Sequence, residues 1–326
     1  EFLAEAGAHA SKHQRDFGTQ EMLRFLGAFR RAGGDNKVHA EMASRQQELE
    51  YDFPALQLKV KLQAETPGQH RHQRRRVRAS ALRESEELGG DPQRADGGTT
   101  GVALWEASFV LAEWLSRHGD KAGGLNNCQA YQDLMKDVSP KAARRRLKTP
   151  WRWPRLLGVE LGAGLGLPAI VTAQLGAEVV ATDGDACVMK LLRRNVEENG
   201  GGKLKAEALL WGAEDPLQKL GLTRRADFLL AADVGYASAK EALNKQLLHT
   251  MLKLTHADSV VLLSNVRRFH EAHKGENRFL AEADRLFFRR SVAQEDLHVD
   301  FQRSGVGSCV IHLLCPRKNV TLGVPA

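Results

Sequence analysis

The stretch from Leu156 to Asp183, LLGVELGAGLGLPAIVTAQLGAEVVATD, constrains the fold more than any other part of the chain. An apolar run, Leu156 to Leu161, stops at Gly162-Ala163-Gly164-Leu165-Gly166. Leu167-Pro168 then opens a helical stretch that ends at Gly176, a residue suited to a helix stop. A second run rich in β-branched residues, Glu178 to Thr182, ends in Asp183, so the unit is βαβ with an acid at the tip of its second strand. Glycines let the loop take open dihedrals and let a ligand approach the backbone. The helix that follows offers free N–H groups with partial positive charge, so a nucleoside ligand fits there.

Two classes of nucleoside compete for this loop. Gly164-Leu165-Gly166-Leu167-Pro168-Ala169 matches the G-x-G-x-x-A form of the dinucleotide fingerprint, and Asp183 lies in the range of its ribose-binding acid. Glu160, two residues before the first glycine, stands against that reading, because a dinucleotide strand runs on there with an apolar residue. An acid aimed at the loop repels a pyrophosphate and suits a ligand carrying an ammonium and a sulfonium. S-adenosylmethionine has those cations and no phosphate. At the strand tip, Asp183 is placed to accept hydrogen bonds from adjacent ribose hydroxyls.

Glu160-Leu161-Gly162-Ala163-Gly164-Leu165-Gly166 resembles the first motif of seven-β-strand methyltransferases. Together with Trp105, Trp211-Gly212 and Asp233-Val234-Gly235-Tyr236, it is similar to the methyltransferase-like protein-lysine methyltransferases of family 16, over roughly Gly101 to the C-terminus. The resemblance implies an α/β fold: a Rossmann-like seven-stranded sheet with helices on both faces and an antiparallel last strand. It implies S-adenosylmethionine as donor, S-adenosylhomocysteine as product and a protein lysine as acceptor. Trp105, Glu160, Gly162, Ala163 and Gly164 would then hold the donor, with Gly166, Asp183, Trp211 and Ala232. Asp233 would orient the amine, with relay of its proton as a further role, and Tyr236 would shape the lysine channel. Gly235 departs from the family, which more often has an aliphatic residue there, and this leaves the substrate open more than the reaction. Other acceptors (arginine, histidine, a small molecule, RNA) stay open, as does a non-catalytic binding module.

The 326 residues divide into an N-terminal extension, 1–99, with helices, one strand and a basic loop, and a methyltransferase domain, 100–326. Residues 1 to 50 read as helical, with Met22, Phe25, Leu26 and Phe29 on one stripe. Leu56 to Ala64 alternates as a half-exposed strand, and Thr66 to Gly98 reads as a long loop. Residues 118–149 look like an insertion. Downstream of Asp183, helices are expected over Asp185–Asn199, Lys240–Leu254 and around Asn277–Phe287. Strands are expected over Lys205–Leu210, Ala226–Ala232 and Ser259–Ser264, with a terminal hairpin of Leu297–Phe301 and Ser308–Leu314.

The net charge of +7 is concentrated in two runs, Arg71–Arg78 and Arg144–Lys148, which would suit RNA or an acidic partner if they are more than solvated loops. The four cysteines are scattered without C-x-x-C or zinc-finger spacing, so neither a metal site nor a disulfide framework is expected, and the compartment reads as reducing. His270 and His273, with Glu271 and Glu276, lack a third ligand in a metal pattern. Apolar runs are too short for a membrane span. A cytoplasmic setting is expected, with the nucleus an alternative, and the first residue, Glu1, leaves the true N-terminus open. The chain has no G-x-S-x-G, no P-loop lysine and no Asn-Pro-Pro-Tyr. Hydrolase and NTPase chemistry therefore have no motif, and methylation of a base or a glutamine amide has none either.

Overall fold

The structure, a computed structural model, describes residues 48–64, 101, 104–119, 123–139, 141, 146–148, 151–234, 241–267, 270–302, 304–305 and 307–317. The described chain begins with a hairpin. Its strands, β1 (Glu48–Phe53) and β2 (Leu58–Gln63), pair antiparallel from Glu48 opposite Gln63 to Phe53 opposite Leu58. The alternation expected around Leu56–Ala64 is present, with Val60 and Leu62 buried and Lys59 and Lys61 exposed. Strand β1 corrects the helical reading of residues up to 50: Leu49, Tyr51 and Phe53 form a period-two face that enters the main core. The stripe Met22–Phe29, the loop Thr66–Gly98 and the run Arg71–Arg78 lie outside the described residues.

Helix α1 (Glu106–Gly119) crosses beneath the sheet with Phe109, Val110, Leu111, Trp114 and Leu115 buried. Helix α2 (Gln129–Val138) occupies the stretch read as an insertion and is a packing element, burying Ala130, Tyr131, Leu134 and Met135. Within the run Arg144–Lys148, of which residues 146–148 are described, Arg146 is not part of a free basic face while Lys148 is exposed. Arg146 is buried, pairs with the Asp258 carboxylate and donates to the Ala257 carbonyl at 3.0 Å. Trp151 and Trp153 pack rather than stack on a ligand: Trp153 meets Phe228 edge-on at 5.3 Å. That ring fills the space over Gly158, where a Cβ would lie 2.1 Å from it.

The rest of the chain alternates strand and helix: β3 (Leu157–Leu161), α3 (Leu167–Gln174), β4 (Glu178–Asp183), α4 (Ala186–Asn199), β5 (Leu204–Ala208) and β6 (Ala226–Ala232). Then come α5 (Glu241–Leu254), β7 (Thr255–Val266), α6 (His270–Leu286), β8 (Phe287–Ser291) and β9 (Cys309–Pro316). Among the described residues these strands form one seven-stranded sheet of order β5-β4-β3-β6-β7-β9-β8. Strands β3 to β7 run parallel, and β9 is inserted antiparallel between β7 and β8, as the resemblance implied. The expected strand Leu297–Phe301 is instead loop and a short 3-10 turn, Val299–Phe301. The edge strand β8 begins at Phe287, directly where α6 ends, because Phe287 is needed in the core beside Phe279 and Ala283.

Two apolar layers cover the sheet. The hairpin, α1, α2, α3 and α4 share one core, and α5 and α6 close the other around Leu247, Met251, Phe279 and the inner face of β6 and β7. Strand order reverses direction between β3 and β6, with connections leaving to opposite faces, so the crevice beyond their carboxyl ends is where a parallel sheet of this kind takes its ligand.

Candidate active site

The loop after β3 turns on glycines with left-handed dihedrals: φ is 63° at Gly162, 57° at Gly164 and 83° at Gly166, the residue that caps α3. Close packing excludes side chains as well. A Cβ on Gly162 would lie 2.8 Å from Val234 and 3.2 Å from the Trp211 indole, and one on Gly164 would lie 3.2 Å from the Gly101 carbonyl. The loop is pinned by an N–H of Ala163 donating to the Thr182 carbonyl at 2.8 Å and one of Gly166 donating to the Ala163 carbonyl at 2.8 Å.

Glu160 lies under this loop rather than on its open side, only 1% exposed. Its Oε2 accepts the N–H of Ala169, in the first turn of α3, at 3.0 Å, while Oε1 is buried with no partner. Burial pushes its carboxyl up to about 8, with the nearby Asp183 adding to the rise. Asp183, at the end of β4, accepts the Gly164 N–H at 3.1 Å through Oδ2 and the Asp185 N–H at 3.0 Å through Oδ1. The carboxylate is therefore not unengaged, although each oxygen keeps a second lone pair for a ribose hydroxyl. Burial raises it to about 6. A cation brought to this end of the sheet would lower both values.

Asp233 follows directly on β6. Its φ of 56° is a left-handed conformation that side chains rarely adopt, and its N–H donates to the Ser264 carbonyl at 2.7 Å across to β7. Leu161 is level with Ala231 and with Thr182, so Gly162, Ala232 and Asp183 come out side by side. Val234, next to Asp233, touches the place where Gly162 has no side chain. The structure thus gathers Glu160, Gly162, Ala163, Gly164, Gly166, Asp183, Trp211, Ala232 and Asp233 at one end of the sheet. Half-buried Trp105 lies at the start of α1, its carbonyl accepting the N–H of Ser108 at 3.0 Å. Tyr236 lies outside the described residues, and so do the side chains of His270 and His273.

Three residues here escaped the sequence reading. Gly101 packs against Gly164. Ser264 and Asn265, at the carboxyl end of β7, are buried with the Ser264 hydroxyl and both Asn265 amide atoms lacking partners. Their signal was available: like Glu160, Ser264 and Asn265 are polar residues that follow directly on an apolar run, here Val260 to Leu263. Orphaned polar atoms under the same rim, two raised carboxyls and a loop whose three glycines leave its backbone bare fit a polar, cationic nucleoside. Among the described residues no group of His, Cys, Asp and Glu is arranged to hold a metal, and no helix is long and apolar enough to cross a membrane.

Comparison with known proteins gives the same picture. A sequence profile described as lysine methyltransferase matches residues 91–286. Protein N-lysine methyltransferase METTL21A of Xenopus tropicalis is 40% identical over 119 residues, which cover 35% of this chain and 51% of that protein. METTL21A of Danio rerio is 38% identical over 148 residues, covering 43% and 63%. Protein-lysine methyltransferase METTL21E of Mus musculus is 32% identical over 191 residues, covering 57% and 63%. The chain therefore spans between about half and just under two thirds of the length of these relatives. The profile match runs from ahead of Trp105, through the glycine loop and Asp233, to the end of α6, so the chain belongs to the lysine methyltransferase family.

Proposed function

We propose that this protein transfers a methyl group from S-adenosylmethionine to lysine side chains of a protein substrate. The observation that carries the reading is Asp233: a buried carboxylate kept in a left-handed backbone at the tip of β6, beside the glycine loop. Strain of that kind, about 1–3 kcal/mol, gathers where a side chain is needed in one place. When bound, S-adenosylmethionine supplies an activated methyl on a sulfonium. Gly162 to Gly166 give the donor backbone contact, Asp183 offers lone pairs to its ribose, and Trp211 gives its base an apolar wall. Glu160 acts from beneath, fixing the loop to α3 and, once the donor's positive charge drives it to ionise, lending negative charge.

A lysine amine, with a reference pKa near 10.4, arrives protonated and must lose that proton to attack. Asp233 accepts hydrogen bonds first from the ammonium and then, once one proton has passed to solvent, from an N–H of the neutral amine, aiming the lone pair at the methyl; the N–C bond forms as the C–S bond breaks and S-adenosylhomocysteine leaves. Tyr236, two residues beyond Val234, flanks the same channel in this reading. The relatives named as protein-lysine methyltransferases support lysine as the acceptor. A cytoplasmic setting belongs to the same proposal, supported by four free cysteines.

The test is to incubate the full chain with methyl-labelled S-adenosylmethionine and cell extract, then hydrolyse the labelled product to amino acids. Label recovered as methyl-lysine is the expected result. Label in arginine or histidine, or label removed by nuclease, overturns the acceptor. Donor binding without any transfer would mark a silent binding module.

A further inference from the structure

Among the described residues, the edge of β2 at Lys61 and Gln63 is closed by side chains rather than by a third strand. Lys61 and Gln63 turn both their N–H and C=O groups away from β1, toward α4, where two asparagines meet them. The Gln63 N–H donates to Asn195 Oδ1 at 2.7 Å, and Asn195 Nδ2 donates back to the Gln63 carbonyl at 3.2 Å. One turn along, the Lys61 N–H donates to Asn199 Oδ1 at 3.3 Å, and Asn199 Nδ2 returns to the Lys61 carbonyl at 2.9 Å. The match is geometric: four residues of helix rise about 6 Å and two residues of strand about 6.6 Å, so two amides four apart fit two peptide groups two apart.

The two asparagines differ in one respect. Asn195 Nδ2 also donates to the carbonyl of Leu165, in the middle of the glycine loop, at 3.1 Å. Fully buried, Asn195 thereby uses its acceptor and both its donor hydrogens, one hydrogen on the hairpin and one on the loop. Its neighbour Leu192, on the same helix face, fills the space that a Cβ on Gly166 would take. Asn199 has no such second tie; its Nδ2 turns to the Asn195 carbonyl at 2.8 Å.

We propose that Asn195 is a positioning residue for methyl-donor binding and that it couples the β1–β2 hairpin to the donor loop. The coupling rests on the reading of the glycine loop as the donor site. It works through one amide whose two hydrogens are shared between Gln63 and Leu165, so displacing the hairpin loosens the loop, and ordering the loop tightens the hairpin. Linkage requires the effect to be reciprocal.

The experiment compares the full chain with Asn195→Leu and Asn199→Leu. S-adenosylmethionine affinity is measured by calorimetry, and amide hydrogen exchange at Lys61 and Gln63 is followed with and without the donor. Donor Kd should rise at least about fivefold in Asn195→Leu and change less than about twofold in Asn199→Leu. In the unaltered chain, the donor should slow exchange at Gln63, and Asn195→Leu should abolish that slowing even where the protein keeps its folded melting transition. Equal Kd in both variants, or donor-induced protection of Gln63 that survives in Asn195→Leu, overturns the coupling. An unaltered chain that does not bind the donor at all overturns the site reading instead. If Asn195→Leu fails to fold, the exchange result in the unaltered chain decides: no protection of Gln63 by the donor contradicts the proposal.

Discussion

The two loops that meet at the carboxyl end of the sheet solve opposite problems. After β3 the chain takes left-handed dihedrals at three glycines, and its acids, Glu160 and Asp183, are tucked behind or beside the turn. After β6, among the described residues, one left-handed dihedral occurs, and an aspartate holds it. Where glycine is used, bare backbone is what matters and a side chain would be in the way. Where aspartate persists in a conformation that glycine would occupy at no steric cost, the carboxylate itself is what matters. The contrast matches the two roles proposed above, a loop that holds the donor and a residue that orients the acceptor.

Replacing Asp233 by Gly tests the separation most severely. Turnover should fall by about 10²–10⁴, the range of a lost acid–base or aiming group, while donor affinity stays within a few fold. Stability should change by no more than about 1 kcal/mol, because the relief of backbone strain offsets lost contacts. Chemical denaturation and saturating-donor kinetics read the two effects separately. A parallel loss of donor affinity would merge the two loops into one function.

Asp183→Ala is the mirror experiment. Donor Kd should rise by about 10–100-fold, as two hydrogen bonds to a charged acceptor are lost, with kcat at saturating donor far less affected. Gly162→Ala should also act on the donor side. A left-handed alanine facing Val234 at 2.8 Å costs about 1–3 kcal/mol in stability, with donor affinity falling roughly tenfold. If Gly162→Ala instead lowered kcat alone, as measured by initial rates at saturating donor, the loop would not be the donor's.

How much of this was legible in the sequence differs between the same two regions. The unit β3–α3–β4 was placed to within two residues at each boundary, because an unbroken apolar strand, a glycine turn and a second β-branched strand leave one local arrangement. Strand β1 was not, since Leu49, Tyr51 and Phe53 gain their burial only from α1 and β2, partners that local pattern does not reveal. The edge strand β8 was missed because no glycine or proline separates Phe287 from α6. Arg146 was read with its basic neighbours, and only the fold brings Asp258, 112 residues on, beside it. Asp233 was named from motif, but its left-handed backbone is visible only in three dimensions.

The smallest effect sharpens the role of Glu160. Its ordinary value is 4.5 and burial raises it to about 8, so between those values the fold holds a proton that the unfolded chain has released. The folded state then binds more protons, and stability falls as pH rises through that window. Asp183 contributes in the same direction only up to about 6. From pH 6.5 to 8 the melting temperature should therefore decline, and Glu160→Gln should flatten the decline; an unchanged slope would place the titration elsewhere.

Everything above requires this end of the sheet to take a cationic sulfur nucleoside and not a dinucleotide. Calorimetric titration of the full chain with S-adenosylmethionine and with NAD tests it directly. One S-adenosylmethionine per chain should bind saturably, with proton release near pH 7 as Glu160 is driven to ionise, and NAD should give no heat. Binding of NAD with none of S-adenosylmethionine would contradict it.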